Sequence, residues 1–350
     1  MTPDFSVLRN ACQNGDNSEV PLYEHIVDLP IILEVMGVKD DPSRGFLESV
    51  KITVEFFRQM GYHYCPFELR PKFAPTIRHR PAQADPGDRS WRSWTDEADG
   101  FIRDYKDLRD PAYWPEPEDA FDFDSFEEAG RLLPEGMKFV GGASGGPFEH
   151  ASFLMGLEPL CYRLCDDEGF ASELFGNIGR TLEYVAERLC GLDCLGIYRF
   201  GDDMGYKGAT MLSPDTLRRH VFPYQKRVVA KARAAGKPFL LHSCGNLTEV
   251  MDDLIDDVGI DAKHSFEDVI MPIEECKRLW GGRIALFGGI DVDLMCRADE
   301  KAVAARTYEV LKACGAKGYA AGSGNTITSY MPVKNYLAMV RAVNDFNGRR

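Results

Sequence analysis

The sequence predicts an α/β fold, a parallel sheet covered by helices, and three observations carry that expectation. From about Val50 onward, short β-like runs alternate with stretches of helical periodicity, the pattern of repeated βα units. Most of those runs end in glycine, a charged residue or a polar cluster. The chain of 350 residues is 44% hydrophobic and 27% charged, which provides ample apolar side chain for a large core, and no linker, repeat or low-complexity tract divides it. Since α/β barrels often exceed ~250 residues as one unit, a single domain over residues 1–350 is expected.

The strand runs, in order, are Tyr62–Glu68, Lys138–Gly142, Leu195–Phe200, Pro238–His242, Ile260–Lys263, Ile284–Phe287 and Gly318–Ala321. The helices between them carry start and stop signals. Ser213-Pro214-Asp215 places a capping serine before a proline at the first helical position, and that helix runs through Pro223 with a kink until Ala235-Gly236. Pro272-Ile273-Glu274-Glu275 opens another, which Gly281-Gly282 stops, and the alanine-rich stretch Glu300–Ala313 forms a third. Residues 70–117, rich in Pro, Asp, Arg and Trp without clear periodicity, read as a long excursion after the first strand, either a lid or an inserted hairpin over the sheet's mouth.

Lys+Arg 41 against Asp+Glu 55 gives a net charge of −14, which argues against nucleic acid and anionic membrane surfaces as partners. No signal peptide is visible in residues 1–17, and no apolar run approaches a membrane span, so the cytoplasm is the expected location. Ten cysteines without a secretory signal read as reduced thiols. Cys161 with Cys165 and Cys190 with Cys194 fall in apolar, helix-like stretches, where a spacing of four suits core packing.

In a parallel barrel the functional groups gather at the C-terminal strand ends. Five of these ends carry chemistry. In His242-Ser243-Cys244-Gly245-Asn246, extended geometry would point His242 and Cys244 to the same side, as two zinc ligands would be, although the pair by itself is weak evidence of metal. In Gly201-Asp202-Asp203, adjacent carboxylates face opposite ways, so one enters the barrel as a candidate acid, base or substrate contact while the other caps or faces solvent. Glu149, after Gly145-Gly146, can supply an acid, a hydrogen bond or a metal oxygen. Asp291, in Gly288-Gly289-Ile290-Asp291, is a candidate substrate contact, whereas Asp293 reads as a local helix cap. Gly322-Ser323-Gly324-Asn325 offers backbone N–H groups to an anion but lacks the spacing of a nucleotide loop. Asp203, Glu149 and Asp202 are therefore the candidate catalytic residues; Asp291, Asn325, Ser323 and Asn246 the candidate substrate contacts; His242 and Cys244 the candidate metal ligands.

The ordered set Gly201-Asp202-Asp203, His242-Ser243-Cys244-Gly245, Gly288-Gly289-Ile290-Asp291 and Gly322-Ser323-Gly324-Asn325, with Pro332, resembles the uroporphyrinogen decarboxylase superfamily over residues 50–345. The resemblance implies a single TIM-type (β/α)8 barrel with extra N-terminal helices, residues 1–49 packing on the barrel, and a homodimer. It also implies one of two chemistries. The decarboxylase branch needs an Arg-rich N-terminal segment and a histidine where this chain has Asn325; Arg70, Arg78 and Arg80 do not form that segment. The other branch comprises zinc-dependent methyltransferases that work with a corrinoid carried by a partner protein, and His242-x-Cys244 is similar to their zinc motif. Its thiol-charging members place a third ligand, cysteine, at the position of Asn325. Since an amide is a poor zinc ligand, Glu149, Asp203 or Asp202 would complete the set. The expectation is a methyltransferase that demethylates a small methoxylated or methylamine-type donor. A decarboxylase of uroporphyrinogen or a related acid, and a non-catalytic tetrapyrrole- or corrinoid-binding protein, are the alternatives.

Overall fold

The computed structural model describes residues 2–70, 79–81, 93–95 and 100–349. The strands are β1 (Tyr64–Leu69), β2 (His79–Pro81), β3 (Ser93–Thr95), β4 (Lys138–Ala143), β5 (Leu195–Gly201), β6 (Phe239–His242), β7 (Ala262–His264), β8 (Ala285–Phe287) and β9 (Tyr319–Ala320). Seven of them form one parallel sheet in the order β1-β4-β5-β6-β7-β8-β9, and β2 pairs with β3 as a small antiparallel ribbon. Each sheet strand coincides with one of the seven β-like runs to within two residues at either end. Helices cover the outside, so residues facing either way are buried, as Val140, Ile197, Leu240, Leu241 and Leu286 all are.

The long helix Glu168–Cys190 shows how the sequence writes these layers. Asp167 accepts a hydrogen bond from the backbone N–H of Phe170 at 3.0 Å and so caps the helix start. Phe170, Leu174, Ile178, Leu182, Val185 and Leu189 then recur every three or four residues and are fully buried, at about 1.5–3 kcal/mol per side chain. Ser213 likewise caps Pro214–His220, and the expected kink is a break at Val221 before Phe222–Ala234.

Two expectations change. The ladder among the described residues has seven strands, not eight. Residues 20–24 run beside β9: Leu22 bridges Ala321 in parallel, Tyr23 N–H donates to the Ala321 carbonyl and Ala321 N–H to the Pro21 carbonyl, at 2.8 Å each. On the β1 side, the Tyr64 hydroxyl lies 2.6 Å from both the N and the O of Glu24. The N-terminal stretch is accordingly not a plain helical extension. Its helices, α1 (Phe5–Cys12) and α2 (Leu29–Met36), flank a segment that touches both β9 and β1, the two end strands of the sheet. Of the 70–117 excursion, residues 71–78, 82–92 and 96–99 lie outside the described residues, so its reading as a lid does too. Arg70 and Phe101, at its two ends, both line the central cavity.

All ten cysteines are free thiols. Cys161 and Cys165 share the helix Leu157–Asp166, but Cys165 is exposed, and Cys194 lies in the turn before β5 rather than in a helix. Core packing therefore does not account for Cys165, whereas Cys194 is half-buried against the core. Among the described residues, no helix is long and apolar enough to cross a membrane.

Candidate metal centre

Sheet register assembles the site. Gly201 of β5 pairs with His242 of β6, and His242 with His264 of β7, so both imidazoles stand at the same level on neighbouring strands. Their Nδ1 atoms are 2.7 Å apart, a hydrogen bond. His264 places its other nitrogen 3.1 Å from the carbonyl oxygen of Ser323. His25, delivered by the 20–27 segment, stacks on His242 with ring centroids 3.7 Å apart.

On its opposite edge, His242 presents Nε2 to two further donors, with Cys244 Sγ at 3.4 Å and Asp203 Oδ1 at 3.7 Å. Asp203 is fixed by accepting from the Cys244 backbone N–H at 2.8 Å, and Cys244 Sγ receives the Asn325 amide N–H at 3.2 Å. Glu149 and His242 both flank Gly201, with Glu149 Oε2 and His242 Cδ2 at 3.6 and 3.7 Å from the point where a side chain on that residue would begin.

Geometry separates the two donor clusters. Bond lengths of about 2.0–2.3 Å around tetrahedral zinc place neighbouring ligand atoms ~3.4–3.6 Å apart. Cys244 Sγ and Asp203 Oδ1 already stand close to that spacing from His242 Nε2. His25, His242 and His264 do not: the 2.7 Å contact between two of the rings is a proton-bearing hydrogen bond, too short for both nitrogens to face one ion.

The electrostatics point the same way. Burial, helped by Asp203 and then Asp202, pushes the Glu149 carboxyl well above the usual range. Burial raises Asp203, and burial with Asp203 pushes up the Cys244 thiol. Burial also lowers both rings, His264 to about 3 and His242 well below its ordinary value, so each is neutral at pH 7. Neutral imidazole beside a crowded thiol and two carboxyl groups is a donor set that a divalent cation would convert to its ligand form.

The strand-end residues part company here. Asp203, Glu149, His242 and Asn325 line one cavity of about 780 Å³, and Cys244 lies just behind, partly exposed. Asp202 faces away: it accepts from the Glu149 N–H at 2.9 Å, the Phe148 N–H at 3.4 Å and Gln225 Nε2 at 2.7 Å, holding the start of the helix Pro147–Met155. Burial raises its pKa to about 7. Asp291 spends both oxygens on backbone N–H groups, those of Leu294 and Asp268, and is the helix cap expected of Asp293. Ser323 is fully buried and bonded to Glu24. Asn246 closes its own loop, accepting from Thr248 N–H and donating to the Gly208 carbonyl. Of the four candidate substrate contacts, only Asn325 reaches the cavity.

Sequence reading missed His25, His264, Glu24 and the buried pair of Arg199 with Glu68. Arg199 is 1% exposed, lies 2.7 Å from Glu68, and donates at 2.7 Å to the carbonyl of His25. A histidine at the end of β7 was the available signal for His264, since that strand runs one residue beyond the Ile260–Lys263 stretch. Nothing local marks residues 20–27.

The sequence profile of the family described as Uroporphyrinogen decarboxylase (URO-D) matches residues 102–346. The chain is similar to a curated uroporphyrinogen decarboxylase from Anaeromyxobacter dehalogenans (strain 2CP-C), 27% identical over 211 residues, which are 59% of this chain and 58% of that protein. It thus spans a little over half the length of that relative. The fold is similar to that of a methyltransferase from Methanosarcina mazei, with a TM-score of 0.72 at 15% identity over 99% of both chains.

Proposed function

The chain belongs to the uroporphyrinogen decarboxylase family, and from that premise we propose that it moves a methyl group from a small methoxylated or methylamine-type compound to a corrinoid carried by a partner protein, using zinc held by Asp203, His242 and Cys244. The observation that carries this reading is the spacing of those three donors, Sγ at 3.4 Å and Oδ1 at 3.7 Å from the same imidazole nitrogen. In this scheme zinc supplies Lewis acidity to the substrate heteroatom whose methyl bond breaks.

The chain's own residues do the rest. Glu149, kept protonated by burial and by its acidic neighbours, holds a proton for the oxygen or nitrogen that loses its methyl group. Asn325 donates its amide N–H to Cys244 Sγ, which tempers the charge on that sulfur. Phe67, Phe153, Leu154 and Ile32 give the cavity apolar walls that exclude water around the reacting carbon. The scaffold in this proposal is a TIM-type barrel whose eighth position is filled by residues 20–24, in a cytoplasmic setting that suits ten free thiols.

The charge of the cavity argues against the decarboxylase alternative. A substrate with several carboxylates needs several cations, yet of the two arginines among the described residues lining the cavity, Arg199 is spent on Glu68, which leaves Arg70, while Asp203 faces inward. Two assays test the proposal. Metal analysis should find zinc near one per chain in native protein and little in His242→Ala. Aryl methyl ethers and methylamines should then be screened as methyl donors to a Co(I) corrinoid. Zinc-free native protein that releases carbon dioxide from uroporphyrinogen would overturn it.

A further inference from the structure

We propose that His264, whose 2.7 Å contact with His242 Nδ1 is a hydrogen bond and not a shared ion, is the positioning residue that fixes the tautomer and aim of His242, so that a bare Nε2 faces Asp203 and Cys244. This inference rests on the metal reading above and adds residues that the ligand set does not include.

The argument runs along a chain of hydrogen bonds. Glu24 accepts from the Ser323 backbone N–H at 2.9 Å and from its hydroxyl, which anchors that peptide. A carbonyl oxygen only accepts, so the 3.1 Å contact between the Ser323 carbonyl and His264 Nε2 requires the proton on Nε2. A neutral imidazole has a single N–H, and His264 Nδ1 is therefore an acceptor. Its partner at 2.7 Å, His242 Nδ1, must donate. That places the proton of His242 on Nδ1 and leaves the lone pair on Nε2, the nitrogen 3.4 Å from Cys244 Sγ and 3.7 Å from Asp203 Oδ1. Ligating histidines generally give their second N–H to a carboxylate, carbonyl or water; here a second histidine takes that place and is itself locked by a backbone carbonyl.

An independent feature shows that the relay is built into the fold. Gly288 adopts φ +87°, and a Cβ there would press against both bonded atoms, the Ser323 carbonyl oxygen and, at 2.8 Å, His264 Nε2. Glycine is the residue that leaves that contact intact. Gly288, just past the end of β8, thus serves His242 two strands away.

Imidazole ¹⁵N NMR of histidine-labelled, metal-free native protein tests the relay without any substitution. His242 should be the Nδ1–H tautomer and His264 the Nε2–H tautomer; the reverse assignment for His242 overturns the proposal. Zinc competition against a chromophoric chelator then compares three folded proteins. His264→Leu, which removes the acceptor, should bind zinc ~10–100-fold more weakly than native, the usual cost of losing an outer-shell partner. His264→Asn, which keeps an acceptor at the Nδ1 place, should recover most of that loss. Equal zinc affinity in native protein and His264→Leu overturns the proposal. Native protein that binds no zinc defeats the metal reading instead, and the tautomer assignment alone then decides the relay, as it does if His264→Leu fails to fold.

Discussion

Replacing Glu68 by Gln should cost about 3 kcal/mol, because it strands a buried cation. Arg199 is 1% exposed and its guanidinium has three neighbours: Glu68 at 2.7 Å, the His25 carbonyl at 2.7 Å and the Tyr23 hydroxyl at 3.4 Å. Only the first is charged. Removing one member of a buried ion pair typically costs ~3–5 kcal/mol, since the other is left desolvated and uncompensated. The Glu68 side chain keeps 17% exposure toward the cavity, so some water can reach the cation, and the low end of that range applies. At ~2.1 cal/mol/K of unfolding entropy per residue, a chain of 350 residues has about 0.7 kcal/mol/K, and the midpoint should fall by ~4 °C. Scanning calorimetry of Glu68→Gln, Arg199→Met and the double variant measures this. The double variant should be destabilised by clearly less than the sum of the singles, since it leaves neither charge behind. Additive effects, or a loss below about 1 kcal/mol for Glu68→Gln, would refute the idea that this pair pins residues 20–27 against the sheet.

Other expectations follow from the same contacts. Burial raises Glu24 from 4.5 to about 8, so the folded chain keeps a proton that the unfolded chain gives up near pH 4.5. The stability this contributes is full below that pH and is lost as pH rises through about 8. Glu24→Gln should flatten the pH dependence of urea unfolding between pH 5 and 9, and an unchanged slope would contradict a neutral Glu24. Asp202→Asn should cost about 1–2 kcal/mol through the helix start it holds while leaving zinc stoichiometry intact; loss of zinc would make Asp202, not Asp203, the ligand. Asn325→Cys, which puts a thiol beside Cys244, should tighten zinc binding in a chelator competition by ~10-fold or more. Weaker binding would mean that position 325 does not face the ion.

Legibility in the sequence followed locality. The seven strands were readable because a parallel sheet buried on both faces leaves continuous apolar runs, and their ends announced Asp203, His242 and Cys244 through turn chemistry. Which of Asp202 and Asp203 enters the cavity was not readable: alternation shows that they diverge, and Asp202 is absorbed by the helix Pro147–Met155, beginning 55 residues earlier in the chain, and by Gln225, 23 residues later. The roles of Asp291 and Ser323 were no more readable, since polar residues at glycine turns also close the turns themselves, as the hydrogen bonds of both show. His25 lay beyond reach because its position depends on contacts with Arg199 and Ala321, far away in the chain. The resemblance to a known family named the two chemistries to weigh; the geometry of the three donors and the pairing of Arg199 with Glu68 favour one of them.

X-ray absorption at the zinc edge, on native protein loaded with one equivalent of zinc, tests the central claim most directly. The account predicts one sulfur at about 2.3 Å, from Cys244, with the remaining ligands nitrogen and oxygen at about 2.0–2.2 Å, from His242 and Asp203. A shell with no sulfur, or one dominated by several sulfurs, would contradict it.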